Sequence, residues 1–275
     1  MYQLTGSIVL YNNDREELSR AIQSFLQTNL DAKLFLIDNS PTNDLKDICK
    51  DARVEYIHSE KNVGYGAGNN IAIRMILNET KYHLVLNPDV YFEKGVFDSI
   101  YEYMENNPDV GMLSPQVYYP DGMRQPLCKL LPTPYDLSIR RFLPFRKIVQ
   151  KRNRYYELRF SGYSKIMEAP FLSGCFMFIR AEALKKVGLF DEKIFMYYED
   201  TDLTRRMQGH YKTIFYPSAE IVHSYKGSFH NPRLLMIQIR SAIYYFNKWG
   251  WFSDNDRKRI NRETVEKIQA MLQDD

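Results

Sequence analysis

The sequence predicts an α/β fold in which an open, mostly parallel sheet is flanked by helices and followed by further helices. In the first half of the chain, short runs rich in β-branched residues alternate with segments of helical periodicity. This order is typical of βαβ units built around a parallel sheet. With 275 residues and 44% hydrophobic content, the chain is long enough to bury one sizeable core with a smaller appended lobe.

The first half contains four predicted strands and two amphipathic helices. The strands are residues 6–11, 33–38, 54–58 and 83–86. The helices are residues 16–28 and 69–78, in which apolar residues recur three and four positions apart. That spacing places the apolar side chains on one face of each helix, where they can cover the sheet.

A stretch rich in proline, between residues 115 and 134, interrupts this alternation. The second half then contains a strand at 175–180, helices at 181–186 and 200–208, strands at 214–216 and 221–223, a helix at 232–248 and a closing amphipathic helix. We expect residues 1–228 to form the main domain, with a basic loop region at 134–168. Residues 229–275 are predicted to be a helical extension packed on that domain.

Composition excludes several function classes. The net charge of +3 and pI near 8.5 do not provide the basic field of a nucleic-acid-binding protein. Three widely spaced cysteines favour a reduced, cytoplasmic protein, and no secretory signal is evident at the N-terminus. The longest nearly apolar stretch, residues 170–179, covers about half of the roughly 20 residues that a membrane span needs. We therefore expect a soluble or peripheral protein.

Polar residues follow each of the four early strands. Tyr11 ends the first strand, Asp38 ends the second, and Asn87 and Asp89 follow the fourth. The third leads into a segment at 62–70 that is rich in glycine and asparagine. Since ligands of open parallel sheets bind outside the carboxyl ends of the strands, four such ends in series predict a binding crevice.

Two of these strand ends have specific chemistry. The carboxylate of Asp38 would accept a hydrogen bond from the imide N–H of uracil or thymine; the alternative is a helix N-cap or an Asx turn. Asn87 and Asp89 supply oxygen ligands of the kind that Mg²⁺ or Mn²⁺ prefers. As an isolated tripeptide, Asn-Pro-Asp is also a common turn.

The segment at 62–70 resembles a phosphate-cradling loop. Its glycines, Gly64, Gly66 and Gly68, have G-x-G-x-G spacing and lack the final interval of the dinucleotide fingerprint. They would alternatively let the chain turn sharply into the following helix. Their combination with Asn62 and Asn69 favours a turn that faces a ligand.

An acidic cluster precedes a predicted helix late in the chain. Glu199, Asp200 and Asp202 are followed by Arg206. One explanation is structural, because helix N-termini favour anions and Asp202 and Arg206 are spaced as an i,i+4 ion pair. The other is that crowding raises the pKa of one carboxylate toward neutrality, as a general base requires.

His223 follows an apolar pair at the end of a predicted strand. It is either a hydrogen-bonded structural residue or a metal ligand. Lys226 and Ser228, within five residues of it, are compatible with phosphate.

The motifs that carry this chemistry occur in a specific order. They are IVLYNN, LIDNS, NVGYGAGNN, LNPDV, SGCFMFIRAEALKKVGLFDEKIFMYYEDTDLTRRMQG and YPSAEIVHSYKGS, between residues 7 and 228. Together they resemble the inverting family 2 glycosyltransferases of the GT-A fold, which has a Rossmann-like sheet. Within that family the motifs are most similar to the bacterial rhamnosyltransferase-like branch.

The resemblance implies a role for each candidate residue. Asp200, beside Glu199, would be the catalytic base, and Asp89 and His223 would bind Mg²⁺ or Mn²⁺. Asn87 stands where the first aspartate of a DxD-type motif is expected. The donor-binding residues would be Tyr11, Asp38, Asn62, Gly64, Gly66, Asn69, Asn87, Arg206, Lys226 and Ser228.

The implied reaction is a single displacement that inverts the anomeric centre. The branch favours dTDP-rhamnose as donor, with a UDP-sugar as the alternative, and a saccharide or polyprenyl-diphosphate-linked acceptor of cell-surface polysaccharide synthesis. A different class of function is a non-catalytic, nucleotide-binding partner subunit at the membrane. A nucleotidyltransferase would need a basic glycine-rich loop near the N-terminus, and Tyr11-Asn12-Asn13-Asp14 does not supply one.

Residues 140–159 contain eight basic residues and one acidic residue, interleaved with apolar ones. This composition suits an anionic membrane surface on the inner face of the cell membrane. The alternative is a solvated basic loop that closes over the acceptor site.

Overall fold

The predicted alternation of strands and helices is present in the computed structural model, which describes residues 1–136, 146–225 and 231–273. The early elements are β1 (Tyr2–Leu10), α1 (Arg15–Leu26), β2 (Ala32–Asp38), β3 (Val54–His58), α2 (Tyr65–Ile76) and β4 (Thr80–Leu86). The predicted strands therefore all form. Helix α2 begins at Tyr65 rather than residue 69, because Gly64, with φ of 93°, starts the helix there.

The remaining elements complete the sheet and cover it. They are β5 (Val90–Tyr91), α3 (Val96–Asn106), β6 (Val110–Tyr118), β7 (Cys128–Lys129), α4 (Arg146–Tyr156), a 3₁₀ turn (Arg159–Ser161), β8 (Met167–Glu168), β9 (Phe171–Leu172), β10 (Phe176–Arg180), α5 (Ala181–Val187), α6 (Glu199–Met207), β11 (Lys212–His223), α7 (Pro232–Trp249) and α8 (Asn255–Gln273).

Three predictions need correction here. The predicted basic loop region contains helix α4, which an ion pair between Arg152 and the buried Asp136 anchors. The two predicted strands near residues 214 and 221 are one strand, β11. Its register against β6 shifts between Tyr216 and Glu220. Pro115, assigned to a turn-rich stretch, lies inside β6 at this irregularity, opposite Tyr216. A proline is tolerated there because the regular ladder is already interrupted.

The main sheet has the strand order β3-β2-β1-β4-β10-β6-β11-β5, with β8 paired to β11. Strands β1 to β4 run parallel, as do β6 and β11, whereas β10 runs antiparallel between β4 and β6. The predicted fold class, an open and mostly parallel sheet flanked by helices, is confirmed.

This topology brings distant residues to one edge. Because β10 is antiparallel to β4, its first residue, Phe176, pairs with Leu86, the last residue of β4. The end of β11 reaches the same region, where His223 pairs with Val90. The residues that follow β4, precede β10 and end β11 are therefore neighbours.

A buried polar network connects β1, β4 and α2 below this edge. The Nε2 and Nδ1 atoms of His83 lie 2.9 Å from Ser7 Oγ and Thr5 Oγ1, respectively. Ser7 Oγ also donates to Asn69 Oδ1 at 2.6 Å. His83 is completely buried, and this burial lowers its pKa from 6.5 to about 3.

This depressed pKa predicts a loss of stability in mild acid. Between pH 6.5 and pH 3 the unfolded chain binds a proton at His83 that the folded chain excludes, so the free energy of unfolding decreases as pH falls. From pH 7 to pH 5 the contribution is about 2 kcal/mol. Urea unfolding of the wild type and His83→Gln at both pH values measures it. Equal pH dependence in the two proteins would contradict the prediction.

Candidate active site

Tyr65, the first residue of α2, connects two segments at the carboxyl edge of the sheet. Its hydroxyl lies 2.8 Å from Asn87 Oδ1 and 2.6 Å from the carbonyl oxygen of Gly174, and it donates its one proton between these acceptors. The backbone N–H of Asn87 donates to the carbonyl oxygen of Cys175 at 2.9 Å. The turn after β4 is thereby fixed to the approach of β10.

Asp200 joins the same cluster from the late acidic motif. The N–H groups of Gly174 and Thr201 donate to its Oδ2 and Oδ1 at 3.0 and 2.7 Å. A side chain at Gly174 would lie 3.4 Å from both Asp200 Cβ and Tyr65 Cε1. Gly174 therefore lies at van der Waals distance from both side chains. The early Asn-Pro-Asp motif and the late carboxylate thus meet through Tyr65 and residues 174–175.

Glu199 and Asp200 share a site in which two negative charges are unfavourable. Burial raises the pKa of Glu199 well above its usual value, and the charge of Asp200 raises it further. Burial also raises the pKa of Asp200, but the N–H groups of Gly174 and Thr201 oppose this shift. Asp200 is therefore the carboxylate that ionises first, and Glu199 is held neutral with Oε2 buried and unpaired. The pKa values of Glu199 and Asp200 are both raised, as expected, but burial rather than crowding is the main cause.

The backbone before these carboxylates is strained. Tyr197 and Tyr198 have φ values of 67° and 73°, a left-handed conformation that bulky residues rarely adopt. The ring of Tyr198 packs against Tyr245 with centroids 5.3 Å apart. Such strain persists only where surrounding packing enforces it, and it is concentrated at functional sites.

Asp89 and His223 form the second part of the site. Asp89 Oδ1 lies 3.4 Å from His223 Nε2, and it is buried without a hydrogen-bond partner. On the other side of the ring, Nδ1 lies 3.0 Å from Gln125 Oε1. The amide nitrogen of Gln125 donates to the carbonyl oxygens of His223 and Tyr118. Since this fixes the amide orientation, Nδ1 carries a proton. In the neutral imidazole, Nε2 then presents its lone pair toward Asp89 and the Asn87 amide nitrogen 3.5 Å away.

Two acceptor atoms that face each other at this distance fit a divalent cation. Within the described ranges, the histidine, cysteine and acidic side chains form no group of three or more that would hold a metal. Asp89 and His223 would therefore supply only part of a coordination shell. Substrate oxygens and water would complete it, as is usual for Mg²⁺ beside phosphates.

The predicted nucleotide contacts lie at the ends of β1, β2 and β3. Tyr11 is half exposed. Asp38 is buried and accepts from the Ser40 N–H and the Tyr56 hydroxyl at 2.8 and 2.6 Å. The first of these bonds is the Asx turn left open by the sequence. Asn62 is exposed, and its Oδ1 accepts from the N–H of Gly64 at 3.0 Å.

The glycines of this segment pack against the chain itself. A Cβ at Gly64 would lie 2.3 Å from the carbonyl oxygen of Phe195, and one at Gly66 would lie 2.9 Å from Phe190 Cβ. The structural alternative, a tight turn into α2, explains both positions. Asn69, predicted to contact the donor, has its side-chain amide engaged within the chain. Its side chain is buried, and its amide bonds Ser7 and the carbonyl oxygen of Tyr65.

The guanidinium of Arg206, predicted to contact the donor, is also engaged within the chain. Its Nε donates to Asp202 Oδ2 at 2.8 Å, and its terminal nitrogens donate to the carbonyl oxygens of residues 187–189. The ion-pair alternative applies, and the guanidinium also satisfies the carbonyl groups that follow α5. Lys226 and Ser228 lie outside the described residues.

The sequence comparison adds a decisive observation to this geometry. The family model described as Glycosyl transferase family 2 matches residues 7–188, about two thirds of the chain. The chain belongs to glycosyl transferase family 2. The predicted family resemblance is therefore confirmed.

Two curated relatives in the family are similar at modest identity. N-acetylglucosaminyl-diphospho-decaprenol L-rhamnosyltransferase of Mycobacterium tuberculosis is 27% identical over 211 residues, which cover 72% of this chain and 68% of that protein. Rhamnosyltransferase WbbL of Escherichia coli is 23% identical over 269 residues, which cover 92% and 97%.

A solved structure supports the fold alone. The structure of GalNAc-T7 with UDP, GalNAc and Mn²⁺ has a TM-score of 0.61 and 15% identity, and the match covers 83% of this chain and 45% of that chain.

Two residues of this family 2 site were not selected from the sequence. Tyr65 lies within the NVGYGAGNN stretch, and its position between two glycines was the available signal. Gln125 gave no signal, because its contact with His223 spans 98 residues. Both hold other side chains of the site in place.

The assignment of Arg206 predicts a defect in stability rather than in donor binding. Arg206→Lys keeps the charge but loses the planar group that bonds three carbonyl oxygens, so we expect the free energy of unfolding to decrease by about 2 kcal/mol. Urea unfolding measures this, and donor affinity should stay unchanged. The matched control is Arg262→Lys, in an exposed i,i+4 pair, which should have little effect. Weaker donor binding at unchanged stability would return Arg206 to the donor site.

Proposed function

We propose that this chain is a metal-dependent, inverting glycosyltransferase that moves a hexose from a nucleoside diphosphate sugar onto a saccharide or lipid-linked acceptor. The observation that supports this most is the meeting of Asp200 with the Asn87–Asp89 turn through Tyr65 and Gly174. A base and a candidate cation site that meet at one edge of the sheet are what a single displacement requires.

Asp200 is the proposed base. It removes the proton of the acceptor hydroxyl, whose oxygen then attacks the anomeric carbon on the face opposite the leaving diphosphate. Burial raises the pKa of Asp200, which makes its carboxylate a stronger base near neutral pH. The neutral Glu199 keeps a second negative charge away from the reaction. Because no protein nucleophile is used, the anomeric configuration inverts.

Asp89 and His223 are the proposed protein ligands of a divalent cation, with Asn87 beside them. The cation, Mg²⁺ or Mn²⁺, would supply neutralisation of the charge that develops on the leaving diphosphate. Asp38 and Tyr11 are proposed to contact the nucleobase from the ends of β2 and β1. The Mn²⁺ and UDP in the GalNAc-T7 structure support this arrangement by analogy of fold.

For the donor we propose L-rhamnose from dTDP-rhamnose. Support comes from the names of both curated relatives, which are rhamnosyltransferases. The mycobacterial name also specifies a diphospho-decaprenol acceptor, which motivates a polyprenyl-diphosphate-linked acceptor in surface polysaccharide synthesis. A UDP-sugar is the alternative donor. A non-catalytic nucleotide-binding subunit is less consistent with the buried pair Glu199 and Asp200, because carboxylates with raised pKa values are typical of proton-transfer sites.

The first test is a screen of nucleoside diphosphate sugars by thermal shift with Mn²⁺ or Mg²⁺, followed by turnover of the best donor. Asp200→Asn should keep donor binding and lower transfer by about 10²-fold or more, the usual scale for a lost general base. Asp256→Asn, at an exposed carboxylate on α8, is the matched control and should transfer at the wild-type rate. Undiminished transfer in Asp200→Asn would remove this residue from the mechanism.

A second prediction concerns Gln125 as a positioning residue for His223. Gln125→Met removes the acceptor for the Nδ1 proton, and we expect Mn²⁺ affinity in the presence of dTDP to fall by about 10–100-fold. Gln125→Glu keeps that acceptor but loses both bonds to carbonyl oxygens. It should therefore retain affinity within a few-fold of wild type. Electron paramagnetic resonance of free Mn²⁺ measures these affinities.

The matched control for this series is Gln116→Met, at another buried glutamine, which should leave Mn²⁺ affinity unchanged. If Gln125→Glu loses affinity as Gln125→Met does, the residue acts through the backbone bonds alone. The proposed control of the histidine tautomer would then be wrong.

A further inference from the structure

Helix α7 has an exposed apolar stripe that the proposed reaction does not use. Met236, Ile239 and Ile243 are exposed to 52%, 42% and 44%, and their spacing of three and four places them on one face. Trp251 and Phe252, just beyond the helix, are exposed to 37% and 76%. Five of the fourteen exposed large hydrophobic side chains found in the described residues thus lie within 17 positions. Such clustering marks an interaction surface.

The charged residues of helix α7 itself are all basic. Residues 232–249 contain Arg233, Arg240 and Lys248 and no acidic residue. Arg233 and Arg240 are exposed, and at 100° per residue they fall on the flank of the stripe. Lys248 instead pairs with Asp191 and Asp202. An apolar stripe bordered by arginines and followed by exposed aromatics is typical of a helix that lies in the interface of an anionic membrane.

The opposite face of α7 holds the loop that carries the proposed base. Ser241 Oγ donates to the carbonyl oxygen of Met196 at 2.8 Å, and Tyr245 packs against Tyr198. The helix therefore separates this stripe from the Tyr198–Glu199–Asp200 segment by about its own diameter, roughly 10 Å. A surface bound to the stripe would lie close to where the acceptor hydroxyl must react.

We propose that the face formed by Met236, Ile239, Ile243, Trp251 and Phe252, with Arg233 and Arg240 at its border, binds the surface of an anionic lipid bilayer. The helix lies along the bilayer and does not cross it. No helix among the described residues is long and apolar enough to span a membrane. Membrane binding by this face does not depend on the proposed function. Only its purpose rests on that function, namely to hold the active site beside a lipid-linked acceptor.

The basic segment at 140–159 is a competing membrane contact. Of it, the structure describes α4, where Lys147, Lys151 and Arg154 are exposed. Only Ile148 and Tyr155 are exposed large hydrophobics in the described part of this segment. We therefore assign the insertion of apolar side chains into the bilayer to α7. The test distinguishes this from purely electrostatic attraction through α4.

The test is co-sedimentation of the full chain with phosphatidylcholine vesicles, with and without phosphatidylglycerol. We expect binding to the anionic vesicles and at least a tenfold lower partition coefficient for the triple variant Met236→Ser, Ile239→Ser and Ile243→Ser. The matched control changes three exposed side chains elsewhere, Met75→Ser, Met123→Ser and Ile166→Ser, and should bind as wild type does. Neutralising Lys147, Lys151 and Arg154 to Gln should leave most of the binding intact.

Tryptophan fluorescence tests the same binding in a way that does not depend on the folding of the triple variant. Tryptophan emission should shift to shorter wavelength when anionic vesicles are added, and Trp251→Phe should abolish that shift while vesicle binding persists. Full binding by the triple variant, no binding by wild type, or loss of binding only in the α4 variant would each overturn the proposal. A concentration-dependent dimer that the triple variant abolishes, without vesicle binding, would assign the face to self-association instead. Vesicle binding without sugar transfer would leave this inference standing and reject the proposed function.

Discussion

The site depends on the contact between Tyr65 and the backbone at residues 174–175. The strand order alone brings the end of β4 next to the start of β10, but it does not determine how the two turns are oriented. The Tyr65 hydroxyl, within reach of Asn87 and Gly174, fixes that orientation. Asp200 accepts a hydrogen bond from the N–H of Gly174. The position of the proposed base therefore depends on the same backbone segment. A shift of this segment would displace both halves of the site together.

The electrostatics of the site follow from burial. A buried carboxylate is costly unless charge is removed or compensated. Asp200 is compensated by two N–H donors, whereas the Oε2 atom of Glu199 has no partner. The pair therefore retains one negative charge. At the other half of the site, the unpaired Oδ1 of Asp89 faces a histidine lone pair. The unpaired atoms of the two halves are those that the proposed acceptor and cation would engage.

The sequence predicted the sheet well because apolar periodicity depends on which residues face the core. It also predicted that Asn87 and Asp89 lie at the carboxyl edge, since strand ends meet there in a parallel sheet. The position of His223 beside them was implied by the family resemblance. It did not predict which way side chains at that edge point. Starting α2 four residues earlier turns Asn69 toward Ser7 and away from the crevice. The i,i+4 spacing indicated the ion pair between Asp202 and Arg206. The carbonyl partners of Arg206 and the partner of Gln125 lie in distant segments, and no local pattern encodes those contacts.

Helix α7 packs against the strained backbone of Tyr197 and Tyr198 on one face and exposes apolar side chains on the other. The left-handed Tyr197 and Tyr198 place two carboxylates at the start of α6, and that backbone is costly in isolation. The packing of Tyr198 on Tyr245 and Phe246 compensates for it, so the inner face of α7 is required by the proposed base. Its outer face is exposed among the described residues, yet it is apolar. Because these side chains are only partly covered within the described residues, the proposed lipid surface is the partner that would bury their remaining apolar area.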